Sequence, residues 1–337
     1  MGISLKVNAI PIRILDKVDN IIKEYSLFEG KNVCVAYSGG KDSFFLCMVM
    51  KELGYEVSPV IIDIGYNSDW SVALRNIEYI GLNCVIIDAE QINQLMPEIK
   101  DELKSNLKSI EQIKNGSFEK VTICTPCHNS KMVILQKWAE INNIHTIANG
   151  HHAIDAISSL LKSFYMFLDR WEYQHEEFVY ENFYKLILSQ KKVYTLEKEK
   201  FITLSLCDEI TRQIKAQNVG TDEPILQYFG NTSTCLCRPL FGILESEIVE
   251  YFDSQNFFFN ESECFVTNHR DKKVLTPREL IQYELLKNAP QSLLLFLLEL
   301  VKENLDKNGF LKFNVRNNRT RILGNSYKNE KINIIKK

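Results

Sequence analysis

Six consecutive residues constrain this chain more than any other feature: Ser38-Gly39-Gly40-Lys41-Asp42-Ser43. They follow an apolar, strand-like run, Val33 to Tyr37, and precede a helix-like run, Phe44 to Leu53. A glycine-rich turn between a strand and a helix is a phosphate cradle, because backbone N–H groups and the positive end of the helix converge on one anion. Gly39 and Gly40 allow positive φ and close approach to oxygen. Ser38 and Ser43 add hydroxyl donors, and Lys41 adds a point charge. An acid beside a phosphate is unusual, and Asp42 is explained either by a bound Mg2+ or by helix capping. The order of residues is not that of the Gly-x-x-x-x-Gly-Lys-Ser/Thr nucleotide loop.

The surrounding pattern alternates strands with helices, which predicts a doubly wound parallel α/β sheet. Residues 11–27 carry apolar positions at helical spacing, with Pro11 in the first turn and Gly30 as the stop. Val57 to Ile62 is a second buried strand ending at Asp63, Trp70 to Ile80 a helix and Asn83 to Ile87 a third strand. Ile144 to Ala148 is a fourth strand. In such sheets ligands bind beyond the carboxyl ends of the strands, which puts Asp63 on the rim that carries residues 38–43. There it meets a ribose or a metal, or simply caps a turn. From about Phe164 to Gly230 the chain reads as helical and rich in aromatics, a stripe that suits packing or a homodimer interface better than base stacking. Thr276, Pro277 and Glu279 fit a capping box opening a helical hairpin. The predicted organisation is an N-terminal helix (1–30), a nucleotide-binding domain (31–163), a helical insertion (164–230), a return to the core (231–305) and a basic tail (306–337).

Two further clusters point to chemistry. Gly150-His151-His152, with Asp155 three residues on, sits at another strand-to-helix transition and therefore at the same rim. Cys124-Thr125-Pro126-Cys127 precedes a helix predicted from about Asn129 to Ile141. A Cys-x-x-Cys pair at a helix start suits a metal, an iron–sulfur cluster or a redox couple, and the helix dipole there favours thiolate. Cys235-x-Cys237 could complete a closed, four-cysteine Zn2+ site with that pair. Cys34, Cys47, Cys84 and Cys207 lack spaced partners and read as core residues.

The order Ser-Gly-Gly-Lys-Asp-Ser after a strand resembles the PP-loop of the ATP pyrophosphatases, which split ATP into AMP and pyrophosphate. The succession of that loop, Cys-x-x-Cys, Gly-His-His, Arg238-Pro239-Leu240, Glu247-Ile248 and a lone Cys264 is similar to the cluster-dependent tRNA thiolases. That group comprises the 2-thiocytidine and cytosolic 2-thiouridine synthetases. The resemblance covers roughly residues 31–63, 121–160 and 231–285. It implies that residues Ser38 to Ser43 hold the ATP phosphates and that Lys41, Asp42 and Asp155 serve catalysis. It further implies that Gly150, His151, His152 and Asp155 assist pyrophosphate and magnesium, and that Cys124, Cys127 and Cys264 ligate a 4Fe-4S cluster. Three thiolates on four irons leave one position open for sulfide, the nucleophile such a reaction needs. The family usually has two consecutive acids where this chain has Ile154-Asp155.

Composition sets the remaining bounds. The chain of 337 residues is 45% hydrophobic and 25% charged, as in an ordinary globular protein. Its start lacks a secretory pattern, and its longest strongly apolar run, Leu293 to Leu300, is too short to cross a bilayer. A cytoplasmic place and no membrane partner follow as expectations. Nine cysteines in that setting suit thiol, metal or sulfur chemistry rather than disulfides. The formal net charge is −3, yet residues 302–337 carry +7, a tail that either touches RNA phosphates or is a solvated terminus. The function this reading supports is an ATP-dependent sulfurtransferase. It adenylates a carbonyl oxygen and replaces it with sulfur from a donor, on a tRNA pyrimidine or on a small-molecule carbonyl substrate. An amide- or amidine-forming ligase with structural zinc, and a non-catalytic nucleotide-binding partner protein, are the alternatives.

Overall fold

A computed structural model describes residues 8–64, 69–95, 97, 124–168, 224–228, 234–253, 255, 257–259, 281–286, 289, 291–303 and 305–309. Six strands form one sheet: β1 (Asn32–Ala36), β2 (Glu56–Ile62), β3 (Val85–Ile87), β4 (Thr146–Ala148), β5 (Leu226–Tyr228) and β6 (Cys235–Cys237). Their order is β3-β2-β1-β4-β6-β5. All neighbours are parallel except β5 and β6. The chain runs outward from β1 through β2 to β3, then crosses back to β4 on the other side of β1. The β1/β4 boundary is thus the point where strand order reverses, and there the carboxyl ends of the strands open a crevice.

The strands are nearly continuous apolar runs because both sheet faces are covered. Val33, Val35, Ile61, Ala148, Cys235 and Cys237 point to the first face. Cys34, Val60, Ile62, Ile147 and Leu236 point to the second. The first face is covered by α1 (Ile12–Glu24), α2 (Lys41–Glu52), α3 (Ser71–Tyr79), α6 (Ala153–Leu168), α7 (Glu245–Asp253) and α8 (Gln291–Glu303). The second is covered by α4 (Ala89–Leu95) and α5 (Cys124–Ile141). Residues Ser43 to Met50 of α2 are all buried, which explains their lack of a polar stripe. Phe44 and Phe45 pack there against Phe252, with ring centroids 6.0 and 5.8 Å apart.

Pro59 sits inside β2 without breaking the sheet. Tyr37 N–H donates to Val60 O and Asp63 N–H to Ile87 O, so the odd residues of β2 face β3. The β3 register begins only at Val60; at Pro59 no ladder bond is lost.

Local structure departs from the sequence reading at four places. Helix α1 ends at Glu24, before Gly30. Ser26 takes φ 49° and Leu27 N–H reaches back to Ile22 O, a left-handed closure that buries Leu27 in the core. The described part of residues 1–30 is also not set apart, since Ile14, Val18, Ile21 and Ile22 belong to the main core. Helix α5 starts at Cys124 instead of Asn129, because Pro126 falls in a first turn whose N–H groups need no helical acceptor. The helical expectation for 164–230 fails at its end: Leu226–Tyr228 is a strand, paired to β6. That pairing satisfies an otherwise open sheet edge, and its partner lies further along the chain, beyond any local pattern. Residues 169–223 and the tail from 310 onward lie outside the described residues, as do Cys207, Cys264 and the capping box at Thr276. Among the described residues no helix is long and apolar enough to cross a membrane.

Candidate active site

The segment from Ser38 to Ser43 leaves β1 and becomes the first turn of α2. Gly39 takes φ +80°, and a Cβ on it would stand 2.9 Å from Ala73 Cβ of α3. Positive φ and this close approach both require glycine. Gly40 is the extended N-cap of α2 and supplies no side-chain cap. Serine hydroxyls hold the turn instead. Ser38 N–H donates to Ser43 Oγ at 3.2 Å, the two hydroxyls lie 3.1 Å apart, and Ser43 Oγ–H reaches Gly40 O at 3.0 Å. Helix α2 therefore begins with N–H groups free of side-chain capping, aimed at the crevice.

The second motif meets the first in space. A Cβ on Gly150 would stand 2.8 Å from Ser43 N and 2.9 Å from the backbone carbonyl carbon of Asp42. Only a residue without a side chain lets the β4 corner rest on the loop. His152, two positions on, is buried. Its Nδ1 accepts Ile154 N–H at 3.3 Å, so in the neutral ring Nε2 carries the proton. Nε2 lies 3.9 Å from Asp42 Oδ1. Asp155 Oδ2 accepts His152 N–H at 2.9 Å, closing the first turn of α6 as in a capping box. Asp155 Oδ1 accepts from Gln282 Nε2 at 3.2 Å. Ile154, where a second acid could stand, is a buried core residue. His151 is half-buried, its N–H donating to Asn149 Oδ1.

Charge concentrates at the loop. Lys41 Nζ lies 2.8 Å from Glu245 Oε1 and 3.2 Å from Asp42 Oδ2. Burial alone would lower the Lys41 pKa; Asp42 and Glu245 outweigh it and raise the value above the usual 10.5. Asp42 Oδ1 is buried and makes no hydrogen bond, although Lys41 Nζ stands 3.1 Å from it. A buried carboxylate oxygen compensated only by an ion pair fits a hard divalent cation such as magnesium once Lys41 turns to a phosphate.

Asp63 stands at the end of β2, and its Oδ2 accepts from Trp70 Nε1 at 3.0 Å. Cys127 is half-buried in the first turn of α5, beside the second-face core. Because α5 leads into the start of β4, its own start lies toward the sheet's carboxyl rim. Cys235 and Cys237 are buried in β6 on the first face, and burial raises both thiol pKa values. Cys235 Sγ–H contacts Thr146 Oγ1 at 3.8 Å. The sheet thus stands between this pair and Cys127: strand residues i and i+2 share a face, and Cys235 and Cys237 lie on the one opposite Cys127. Cys34 and Cys47 are buried core thiols, and burial pushes Cys84 up to about 12.

Two residues that the sequence reading did not assign to the site join it, and Arg238, named there only within its Arg-Pro-Leu triplet, braces β6. Glu245 binds Lys41 across 204 positions. Gln282, in a π-helical turn (Ile281–Leu286), holds Asp155. Arg238 is buried and donates to Pro224 O at 2.6 Å, tying β6 to the chain before β5. Only Arg238 had a local signal, the Arg-Pro-Leu triplet, and that signal did not reveal its partner.

No family model matches the chain. It is 29% identical over 148 residues to a tRNA-5-methyluridine(54) 2-sulfurtransferase of Pyrococcus horikoshii, covering 44% of each chain. It is 26% identical over 205 residues to a tRNA-cytidine(32) 2-sulfurtransferase of Dichelobacter nodosus, covering 58% of this chain and 69% of that one. It is also 28% identical over 156 residues to the cytoplasmic tRNA 2-thiolation protein 1 of Eremothecium gossypii, covering 43% and 38%. The chain spans about half the length of the first relatives it matches. Among solved structures, the U34-tRNA thiolase NcsA of Methanococcus maripaludis superposes with TM-score 0.47 and 14% identity, covering 86% of this chain and 79% of that one. The relatives this chain is similar to in sequence are thus tRNA 2-sulfurtransferases and a tRNA 2-thiolation protein.

Proposed function

We propose that this protein is an ATP-dependent tRNA sulfurtransferase. The observation that carries the nucleotide half of the reading is the contact of Gly150 with the backbone of Asp42 and Ser43. It joins a phosphate cradle, a buried imidazole and two carboxylates in one crevice. ATP binds with its phosphates on Ser38 to Ser43, where the N-terminus of α2 and Lys41 offset the charge that develops as pyrophosphate leaves. Asp42 would hold magnesium, which would offset charge on the phosphates. His152 Nε2–H faces that carboxylate, and Asp155 fixes His152 from behind while keeping lone pairs for the cation's shell. Asp63, on the same rim, takes the ribose. A substrate carbonyl oxygen attacks the α-phosphorus, giving an adenylate and pyrophosphate. Sulfide then attacks the activated carbon and AMP departs.

The sulfur half rests on Cys124, Cys127 and Cys264. Cys127 suits a ligand because it is half-buried on a helix's first turn, unlike the sealed thiols of β6. A 4Fe-4S cluster on these three residues would present the sulfur to the activated carbon. The substrate is a tRNA pyrimidine, unstacked to reach the crevice; the sulfurtransferase relatives support this choice.

A mass-spectrometric inventory of tRNA nucleosides tests the whole reading. A deletion strain should lack one thionucleoside. The wild-type gene and the Cys235→Ala gene should restore it, and the Cys127→Ala gene should not. A full set of thionucleosides in the deletion strain would overturn the tRNA substrate. Restoration by Cys127→Ala would remove the cysteine role.

A further inference from the structure

Lys41 already has a carboxylate from a distant element on its ammonium. Glu245 is the first residue of α7, and its Oε1 lies 2.8 Å from Lys41 Nζ. An acid in a helix's first turn is ordinarily explained by the helix itself. Here that work falls to Glu247. Its Oε2 accepts Leu244 N–H at 3.1 Å, in the manner of a capping box, and its Oε1 takes Lys17 Nζ at 2.8 Å. Glu245 makes its one recorded side-chain contact among the described residues with Lys41. The two acids also differ in access: the Glu247 side chain is 10% exposed and that of Glu245 is 44% exposed. Glu247 is fixed, whereas Glu245 can swing into water with little loss.

The crevice has a charge imbalance to match. Among the described residues, Asp42, Asp155 and Glu245 surround one lysine and one imidazole. A free phosphate chain must therefore break the Lys41–Glu245 pair and then lie beside the released carboxylate. A phosphate chain carrying a divalent cation brings its own compensation. We propose that Glu245 is a competing counter-ion for Lys41, which makes the site select metal-complexed phosphate chains over metal-free ones. The inference rests on Lys41 being a phosphate ligand. It adds a specificity-determining residue to that site.

Calorimetric titration of the full chain with inorganic pyrophosphate tests it, first with EDTA and then with magnesium. Glu245→Gln should bind metal-free pyrophosphate about fivefold more tightly than wild type, the upper end of what a partly exposed ion pair contributes. It should change magnesium pyrophosphate binding less. Glu250→Gln is the charge control, since Glu250 lies on the same helix, is 74% exposed and pairs with Arg13; it should change neither affinity. The gain in Glu245→Gln should vanish when Lys41→Ala is added. Unchanged or weaker binding by Glu245→Gln, an equal gain in Glu250→Gln, or a gain that persists without Lys41 would each overturn the proposal. If Lys41→Ala alone binds magnesium pyrophosphate as wild type does, the phosphate-site reading fails too. A weakened Lys41→Ala beside an unaltered Glu245→Gln sinks the counter-ion inference alone.

Discussion

The crevice is built from two strand-to-helix corners, and they are satisfied differently. At the β4–α6 corner the recorded polar groups are engaged with each other: Asn149 with His151, Ile154 with His152, and Asp155 with both His152 and Gln282. At the β1–α2 corner the backbone turn is tied by serines, yet Asp42 Oδ1 is buried without a hydrogen bond, 3.1 Å from Lys41 Nζ, and among the described residues Lys41 is held by two partly exposed carboxylates. The first corner is a finished network that fixes shape. On the proposed function, the second keeps its charged groups for an anion and a cation from outside. Pre-organisation and binding capacity are thus divided between two neighbouring turns.

That division predicts a graded series of losses. The largest effect belongs to Lys41→Ala, where pyrophosphate release should fall about 100- to 1000-fold. Stability should change by less than about 1 kcal/mol, since the ion pairs it loses are partly solvated; unchanged pyrophosphate release would break the assignment of the open corner. Gly150→Ala comes next. Its new methyl must displace the Ser43 backbone, so activity should drop about 100-fold through misplaced groups. The fold should weaken by about 1–3 kcal/mol from overpacking, measured by urea denaturation. A fully active Gly150→Ala would show that the two corners need not touch.

Gln282→Leu sharpens the same contrast from the closed side. It removes the donor to Asp155 Oδ1 while His152 N–H still holds Oδ2. The magnesium concentration for half-maximal activity should rise about tenfold, with the unfolding temperature little altered. An unchanged magnesium requirement would make Gln282 a packing residue only. The smallest effect concerns pH. Burial lowers the Lys41 pKa, but Asp42 and Glu245 raise it by more, to above 10.5. A cation whose pKa is raised on folding contributes stability below its unfolded pKa and loses it as pH climbs through the folded value. The stability difference between wild type and Lys41→Met should stay flat from pH 7 to 9 and shrink only above about 10.5. A difference that changes near neutrality would assign the coupling to another group.

The parts legible in the sequence are those written within a few neighbouring residues. Ser38 to Ser43 after an apolar run predicts a strand–turn–helix corner. Gly150 to Asp155 predicts another, and alternation of strands and helices predicts a parallel sheet with both corners on one rim. Steric rules local to the backbone determine these features, so six or eight residues suffice. Even the helix ends were harder to read. Ser26 closes α1 in a conformation that glycine normally takes, and Leu27 compensates by burial.

What separates Cys127 from Cys235 and Cys237 was not legible, because spacing along the chain does not say which face of the sheet a residue joins. Cys235 and Cys237 match the spacing of a ligand pair, but β6 turns both into the first-face core. Glu245 and Gln282 escaped for the same reason. Their partners are 204 and 127 positions away, and only packing of α7 and the π-helical turn against the sheet brings them near. The sequence by itself determined the parallel sheet and its two strand-to-helix corners, through local sterics and short motifs. The tertiary structure alone decided which distant acid faces Lys41 and which cysteines are sealed away, because those depend on burial and long-range contact.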